Sequence, residues 1–287
     1  MYPKLMKGLV YIDGQILPAE EAKISVLDLS IMRGYGVFDF LRTYQKLPFR
    51  LWDHLKRFEA SAKEIEIPLP LSMNEVVDVI EQLLEKAPYP EANIKIFLTG
   101  GQSTDQYLPE DRPTFFALVY PVRIFPKEMY EKGVGLVTEI YERPFPACKS
   151  IHYLPAIVAI RCAQRKGAHD VLFLSHNKTL LETGTANFFG IKGSTVVTTG
   201  EGIIFGITRQ VILELLEEQG ISVEVRTIGY DELQTFDGAF ITSSSKEVVP
   251  VVQVDDISFP LHPLTITLMK CFSAYTKSIE SPFQKVL

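Results

Sequence analysis

The chain has 287 residues, with 29 Lys+Arg against 35 Asp+Glu and a formal net charge of −6. Apolar residues make up 46% and charged residues 22%, enough to build a core and too apolar for a disordered chain. The acidic balance disfavours nucleic acid and anionic membrane as partners, and no apolar run approaches the ~20 residues of a membrane span. The first eight residues lack the apolar core of a signal peptide, so Asn177-Lys-Thr179 is expected to be a chance sequon. Cys148, Cys162 and Cys271 are scattered like reduced thiols, and a cytoplasmic protein is expected.

Short strands open the chain. Leu9-Val-Tyr-Ile12 runs into Asp13-Gly14, a hairpin signal, and then Gln15-Ile-Leu17. Residues 37–44 and 47–51 read as strands joined by Gln45-Lys46. Leu55, Phe58, Ala62 and Ile65 then recur at helical spacing, with Asp53 placed as the cap, and Val76, Val77, Ile80, Leu83 and Leu84 mark a second helix. Strands follow at 94–99 and 114–120, and Pro121 and Pro126 punctuate a connection at 122–126. That divides the chain into a smaller N-terminal α/β domain, 1–121, and a larger C-terminal domain, 127–287.

Beyond the connection, strands are expected at 133–140, 170–174, 187–192 and 195–198, with an amphipathic helix at 155–166. A helix at 208–219, with Thr208 at its N-cap and Gly220 just past its end, precedes strands near Val223 and Ala239. A last helix runs from Pro263 to about Ile279. The fold class is α/β (α+β).

Familiar catalytic signatures are missing. There is no His-Glu-x-x-His, Cys-x-x-Cys, Gly-x-Ser-x-Gly or P-loop, and five isolated histidines make a metal site unexpected. Gly34-Tyr-Gly36 begins a dinucleotide fingerprint but meets Asp39 where a third glycine is required. Ser243-Ser-Ser-Lys246 satisfies Ser-x-x-Lys, yet it follows a strand instead of opening a helix, so its hydroxyls suit anion binding better than acyl transfer. Gly206-Ile-Thr-Arg209, leading into the apolar-periodic residues 211–216, offers free amides to a phosphate.

Glu182-Thr-Gly-Thr-Ala-Asn187-Phe-Phe189 resembles the signature of class IV aminotransferases, pyridoxal-phosphate (PLP) enzymes of fold type IV. In that family the cofactor lysine lies a little over thirty residues before the glutamate, and Lys149 stands 33 before Glu182 (182 − 149). Gly34-Tyr-Gly-Val-Phe38, His54-Leu-Lys-Arg57, Arg161–Gly167, Gly206–Arg209 and Glu247-Val-Val-Pro-Val251 match further family motifs in order, over nearly the whole chain.

The resemblance implies two α/β lobes with the cofactor between them. It makes Lys149 the residue that carries PLP and shuttles the proton between Cα and C4′. Glu182 would face the pyridine nitrogen, Arg57 would grip the phosphate, and Tyr153 would approach the ring oxygen. The cofactor set is completed by Thr185, Ala186, Asn187, Phe205, Gly206, Ile207, Thr208, Ser243 and Ser244. Phe38, Arg42, Lys95, Ser244 and Ser245 would meet substrate, with Ser244 and Ser245 on the α-carboxylate.

Asp39 stands where the family mostly has glutamate, residues 197–206 form a shorter connection than expected, and Lys246 replaces a small residue. These departures suggest a divergent subgroup. Residues 100–107 lack the Arg-x-His carboxylate trap of D-amino-acid aminotransferases, although Arg33 or Arg42 offers a substitute, and Asn93-Ile-Lys95 matches the branched-chain Tyr-x-Arg in part. A branched-chain-like L-amino-acid transaminase is therefore expected. The alternatives are a D-amino-acid aminotransferase, an aminodeoxychorismate lyase, or an inactive PLP-binding or structural homodimer. Family members are homodimers or higher, so a homodimer acting on amino and 2-oxo acids is implied, with a loop near Gly34 or residues 100–107 closing the partner's site.

Overall fold

The computed structural model describes residues 8–278, 280, 282 and 283. Ile279, the expected end of the last helix, and residues 1–7 fall outside them. Two compact units divide the chain. One comprises residues 1–123, 148–152 and 277–287, and the other 124–147 and 153–276. The chain thus passes from unit to unit more than once, and 122–126 is the first passage. Residues 148–152 join the first unit because their backbone pairs with its sheet.

In the first unit, β1 (Leu9–Ile12) and β2 (Gln15–Pro18) form the expected hairpin, and a short α1 (Leu29–Arg33) precedes β3 (Gly36–Tyr44). β4 (Leu47–Pro48) is brief because α2 (Leu51–Glu64) starts at once. The helix is entered through Arg50 in the left-handed region, so Asp53 is a first-turn residue paired with Arg50 at 3.2 Å and not the cap. α3 (Met73–Lys86) opens with a Ser72–Glu75 capping box. With β5 (Ala92–Thr99) and β6 (Thr114–Pro121), the six strands order β2-β1-β6-β5-β3-β4.

Alternation along β3 explains the layering. Val37, Asp39, Leu41 and Thr43 are buried, while Phe38, Phe40, Arg42 and Tyr44 on the other face are partly exposed. Leu51, Leu55, Phe58 and Ala62 of α2 and Val76, Val77, Ile80 and Leu83 of α3 share one apolar core with Val37 and Leu41.

The second unit begins with α4 (Lys127–Glu131) and β7 (Val134–Ile140), then α5 (Leu154–Arg165), β8 (Asp170–Leu174), β9 (Leu180–Thr183), β10 (Asn187–Lys192) and β11 (Thr195–Thr198). α6 (Ile207–Glu218), β12 (Val223–Val225), β13 (Gly238–Ser243), β14 (Glu247–Val254), β15 (Ile257–Ser258) and α7 (Pro263–Tyr275) complete it. The sheet runs β12-β11-β10-β13-β14-β7-β8-β9, with β15 on β14. It closes on itself where Glu182 of β9 pairs with Asn187 of β10. The signature segment is therefore the seam of a closed sheet, and full burial of β8 and β9 follows.

Candidate active site

On the first unit, the Lys149 backbone is held from two sides. Its N–H donates to Ser61 Oγ at 3.0 Å, and its carbonyl accepts from Phe38 N at 3.0 Å. Ser61 is buried in the last turns of α2 and donates to the Arg57 carbonyl at 2.8 Å. The neighbouring Ile151 N–H donates to Gly36 O, and Ser150 bridges Val37. Position 149 is thus stitched to β3 and α2, and its ammonium lies 4.6 Å from the Phe38 ring centroid. No carboxylate pairs with that ammonium among the described residues.

Arg57, Asp39 and His54 form a buried cluster beside it. Arg57 donates from Nε to Asp39 Oδ2 at 2.9 Å and from Nη2 to Oδ1 at 2.8 Å. His54 Nδ1 lies 2.7 Å from Oδ1, facing a carboxylate and a guanidinium, so Nδ1 carries the proton and donates. Its Nε2 then has no partner although the side chain is wholly buried. Burial alone would raise the Asp39 carboxyl, but the charges of Arg57 and His54 and the bonds from both hold it well below the usual carboxylate range. Burial pushes the His54 imidazole below its ordinary value; Asp39 opposes this, while Arg57 and Lys149 add to it.

Phe38 and Lys95 occupy the open face of the same sheet. Phe38 stacks on Phe97 at 5.7 Å, and Lys95 sits about equally over Phe40 and Tyr120, at 6.0 and 5.9 Å. Burial lowers the Lys95 ammonium, and the charge of Lys149 lowers it further. Arg42 shares this face but stacks on Tyr44, 4.5 Å from its ring centroid, one register step beyond Phe40. Phe38, Lys95 and Lys149 are brought together; Arg42 points its charge elsewhere. Arg33, the other candidate trap, lies over Tyr107 at 5.5 Å.

On the second unit, Glu182 accepts from Arg143 Nη2 at 2.7 Å on Oε1 and from Ile204 N at 3.2 Å on Oε2. Asn187, buried across the seam, donates to the Ile204 carbonyl at 2.8 Å. The acid and the amide together shape the turn that delivers α6. Gly206, not Thr208, is the N-cap, and no side chain caps the helix, because Thr208 lies inside the first turn and is buried. Ile207 is buried and Phe205 half-exposed. Free amides at a helix start, bare of any cap, suit an anion.

The glycine is required by space. A Cβ at position 206 would stand 2.2 Å from Asn187 Oδ1. Gly206→Ala is expected to displace Asn187, costing about 1–3 kcal/mol by overpacking and weakening phosphate binding at the α6 start. Thermal unfolding with and without added phosphate checks both.

Tyr153 is partly exposed immediately before α5, and its carbonyl accepts from Ile157 N. Thr185 is exposed and Ala186 buried in the turn between β9 and β10. Ser243 ends β13, and Ser244, Ser245 and Lys246 form a turn into β14, so the Ser-x-x-Lys stretch does follow a strand. No local signal in the sequence marks Arg143 or Asp170 as part of the site. An acid on the apolar face of β3 does announce a buried cation; nothing in the sequence around Arg143 announces its pairing with Glu182.

Two sheets flanked by helices, the second closed at its signature strand, are the α+β architecture of PLP fold type IV. The chain matches the family described as amino-transferase class IV over residues 36–254. It is 32% identical over 256 residues to a putative branched-chain-amino-acid aminotransferase of Methanocaldococcus jannaschii, covering 86% of this chain and 88% of that protein. A D-alanine aminotransferase of Staphylococcus haemolyticus is 28% identical over 282 residues, covering 95% and 99%, and an aminodeoxychorismate lyase of Bacillus subtilis is 26% identical over 261, covering 88% of each. A branched-chain aminotransferase from the thermophilic archaeon Thermoproteus uzoniensis, solved with norvaline, shares the fold at a TM-score of 0.87, 23% identity and 96% coverage of both chains. The chain belongs to the class IV aminotransferases and is an enzyme of that PLP-dependent class. No described helix is long and apolar enough to cross a membrane.

Proposed function

We propose that the protein is a transaminase for branched-chain-like L-amino acids and their 2-oxo acids, with Lys149 as its catalytic residue. The observation that carries the reading is Lys149 itself, its backbone pinned to β3 and α2 and its ammonium over Phe38 with no carboxylate partner among the described residues. The residues present fit pyridoxal phosphate. An uncapped α6 start, glycine where a Cβ would collide, and Glu182 held ready by Arg143 are the donor set a phosphate and a pyridine nitrogen need. Arg209, buried in that first turn, donates from Nη2 to the Thr199 carbonyl at 2.9 Å and lies over the Phe205 ring, bracing the segment that leads into α6.

When bound, the cofactor draws electron density from the substrate Cα into its ring, which makes the Cα proton removable. Lys149 moves that proton at Cα. Glu182 orients at the ring nitrogen. Arg57, oriented by Asp39 along its Nε–Nη2 edge, grips the phosphate; Ile207 and Thr208 give amides, and Ser243 a hydroxyl. Tyr153 approaches the ring oxygen, with Thr185, Ala186 and Asn187 holding the turn after Glu182 and Phe205 flanking. Ser244 and Ser245 bind the α-carboxylate, and Phe38 and Lys95 line the side-chain pocket.

The M. jannaschii relative and the absence of Arg-x-His from residues 100–107 support the L-branched-chain reading over the D-specific one. Exposed Leu154, Ile157 and Val158 on α5 support a self-associating, homodimeric protein. Separate half-reactions of the holoenzyme with L-leucine, D-alanine, D-glutamate and aminodeoxychorismate test the substrate. L-leucine alone is expected to convert the cofactor band to its amine form. Conversion by D-amino acids alone, or turnover of aminodeoxychorismate alone, would replace this assignment.

A further inference from the structure

Lys246 is left without a role by the proposed site, yet it is one of the most tightly engaged lysines in the second unit. Its side chain is 17% exposed, and Nζ donates to Thr185 Oγ1 at 2.7 Å and lies 3.5 Å from Asp170 Oδ2. Asp170, with 3% of its side chain exposed, accepts from Val171 N on Oδ1 at 2.8 Å and from Thr185 Oγ1 and Thr183 Oγ1 on Oδ2 at 2.8 and 3.3 Å. The Thr185 hydroxyl therefore gives its proton to Asp170 and offers a lone pair to Lys246. Donors and acceptors are matched throughout this cluster.

Three chain segments meet there. Asp170 begins β8, Thr185 sits in the turn joining β9 to β10 just after Glu182, and Lys246 lies in the turn joining β13 to β14. The strand pairings place all three at one end of the closed sheet, where the start of β10 pairs with the end of β13 and β8 lies beside β9. The serine turn has internal bonds of its own, from Lys246 N to Ser243 Oγ at 3.2 Å and between Ser243 and Ser245 Oγ at 3.4 Å. Glu247 leaves it at a φ of 61°, a left-handed conformation that a non-glycine residue holds only when its surroundings enforce it. Across the sheet end, a side-chain anchor for this turn is supplied by Lys246.

We propose that Lys246 is a positioning residue for substrate carboxylate binding: it clasps the Ser243–Ser245 turn to the segment that follows Glu182. Its charge is neutralised in place by Asp170, so it orders the hydroxyls and amides of Ser244 and Ser245 without itself serving as a carboxylate trap. The inference rests on the proposed role of those serines. It also gives this lysine a place in the site: its cation is absorbed by a buried acid instead of altering the pocket.

The test uses the holoenzyme and 4-methylvaleric acid, a carboxylate without an amino group, titrated against the cofactor absorbance band. Lys246→Met and Thr185→Val are each expected to weaken its binding by about tenfold, the loss of one charge-assisted hydrogen bond. In Lys246→Met, KM for the amino acid should rise in parallel, while kcat and the band position stay within about twofold. Lys246→Arg should recover part of the affinity, and the two losses should combine to less than their product. Amide exchange at 243–247 should quicken in Lys246→Met apoprotein. Unchanged carboxylate affinity and exchange would overturn the proposal, as would a loss confined to substrates with a second carboxylate, which would make Lys246 a direct contact. A wild-type protein that takes up no PLP would sink the transaminase reading instead, and the apoprotein exchange would still report on the clasp.

Discussion

Lys149→Ala is expected to abolish the absorbance of covalently held cofactor and to lower kcat by about 10³-fold or more, the combined worth of a lost nucleophile and a lost proton carrier. The fold should survive. The contacts that fix position 149 are its backbone N–H to Ser61 and its carbonyl to Phe38, and alanine keeps both. The side chain contributes an ammonium near an aromatic ring and no ion pair, so its removal also relieves the repulsion felt by His54 and Lys95. Thermal stability should therefore change little. Partial recovery by an added primary amine would show that the missing group is the amine itself. An alanine variant that keeps more than a few per cent of wild-type turnover would remove Lys149 from its assigned role.

Much of this fold was legible in the sequence, and the misses share a cause. Periodicity marked the two long first-unit helices, α2 and α3, though not the short α1, and Asp13-Gly14 marked the first hairpin, since each reflects chemistry within a few residues. The start of α2 was misplaced because Arg50 adopts a left-handed conformation that no local signal announces, leaving Asp53 as the obvious but wrong cap. The start of α6 shifted to Gly206 for a long-range reason, the approach of Asn187 Oδ1 from the neighbouring strand. Site residues followed the same rule. The spacing of Lys149 and Glu182 lies along the chain and could be counted. The pairing of Arg143 with Glu182, or of Lys246 with Asp170 76 residues away, exists only once the sheet has closed. The net charge of −6 gave no hint of the local positive ground around Arg57, Lys95 and Lys149.

Asp39→Asn is expected to be the most destabilising conservative change in the first unit. It removes the carboxylate that takes two hydrogen bonds from Arg57 and one from His54, in a place with no solvent to replace it. Breaking one side of such a buried pair costs about 3–5 kcal/mol, because the guanidinium stays where it was. Asp39→Glu keeps the charge and adds a methylene, so its cost should be the smaller one of overpacking, about 1–3 kcal/mol.

Acid titration separates these causes. In the parent protein, His54 is held below its ordinary value by burial, so the unfolded chain binds its proton first and stability falls as pH drops below about 6.5. Asp39 is also depressed, and its contribution is complete above about pH 4 and lost as pH falls further toward its folded value. Asp39→Asn should erase the lower limb. The upper limb should extend further into acid, because Asp39 is the group that raises His54 and its loss makes the buried imidazole harder still to protonate. Asp39→Glu should retain both limbs. Unfolding midpoints in denaturant from pH 2 to pH 8 measure this, and identical pH profiles for the asparagine variant and the parent would show that the cluster does not carry the charges assigned to it.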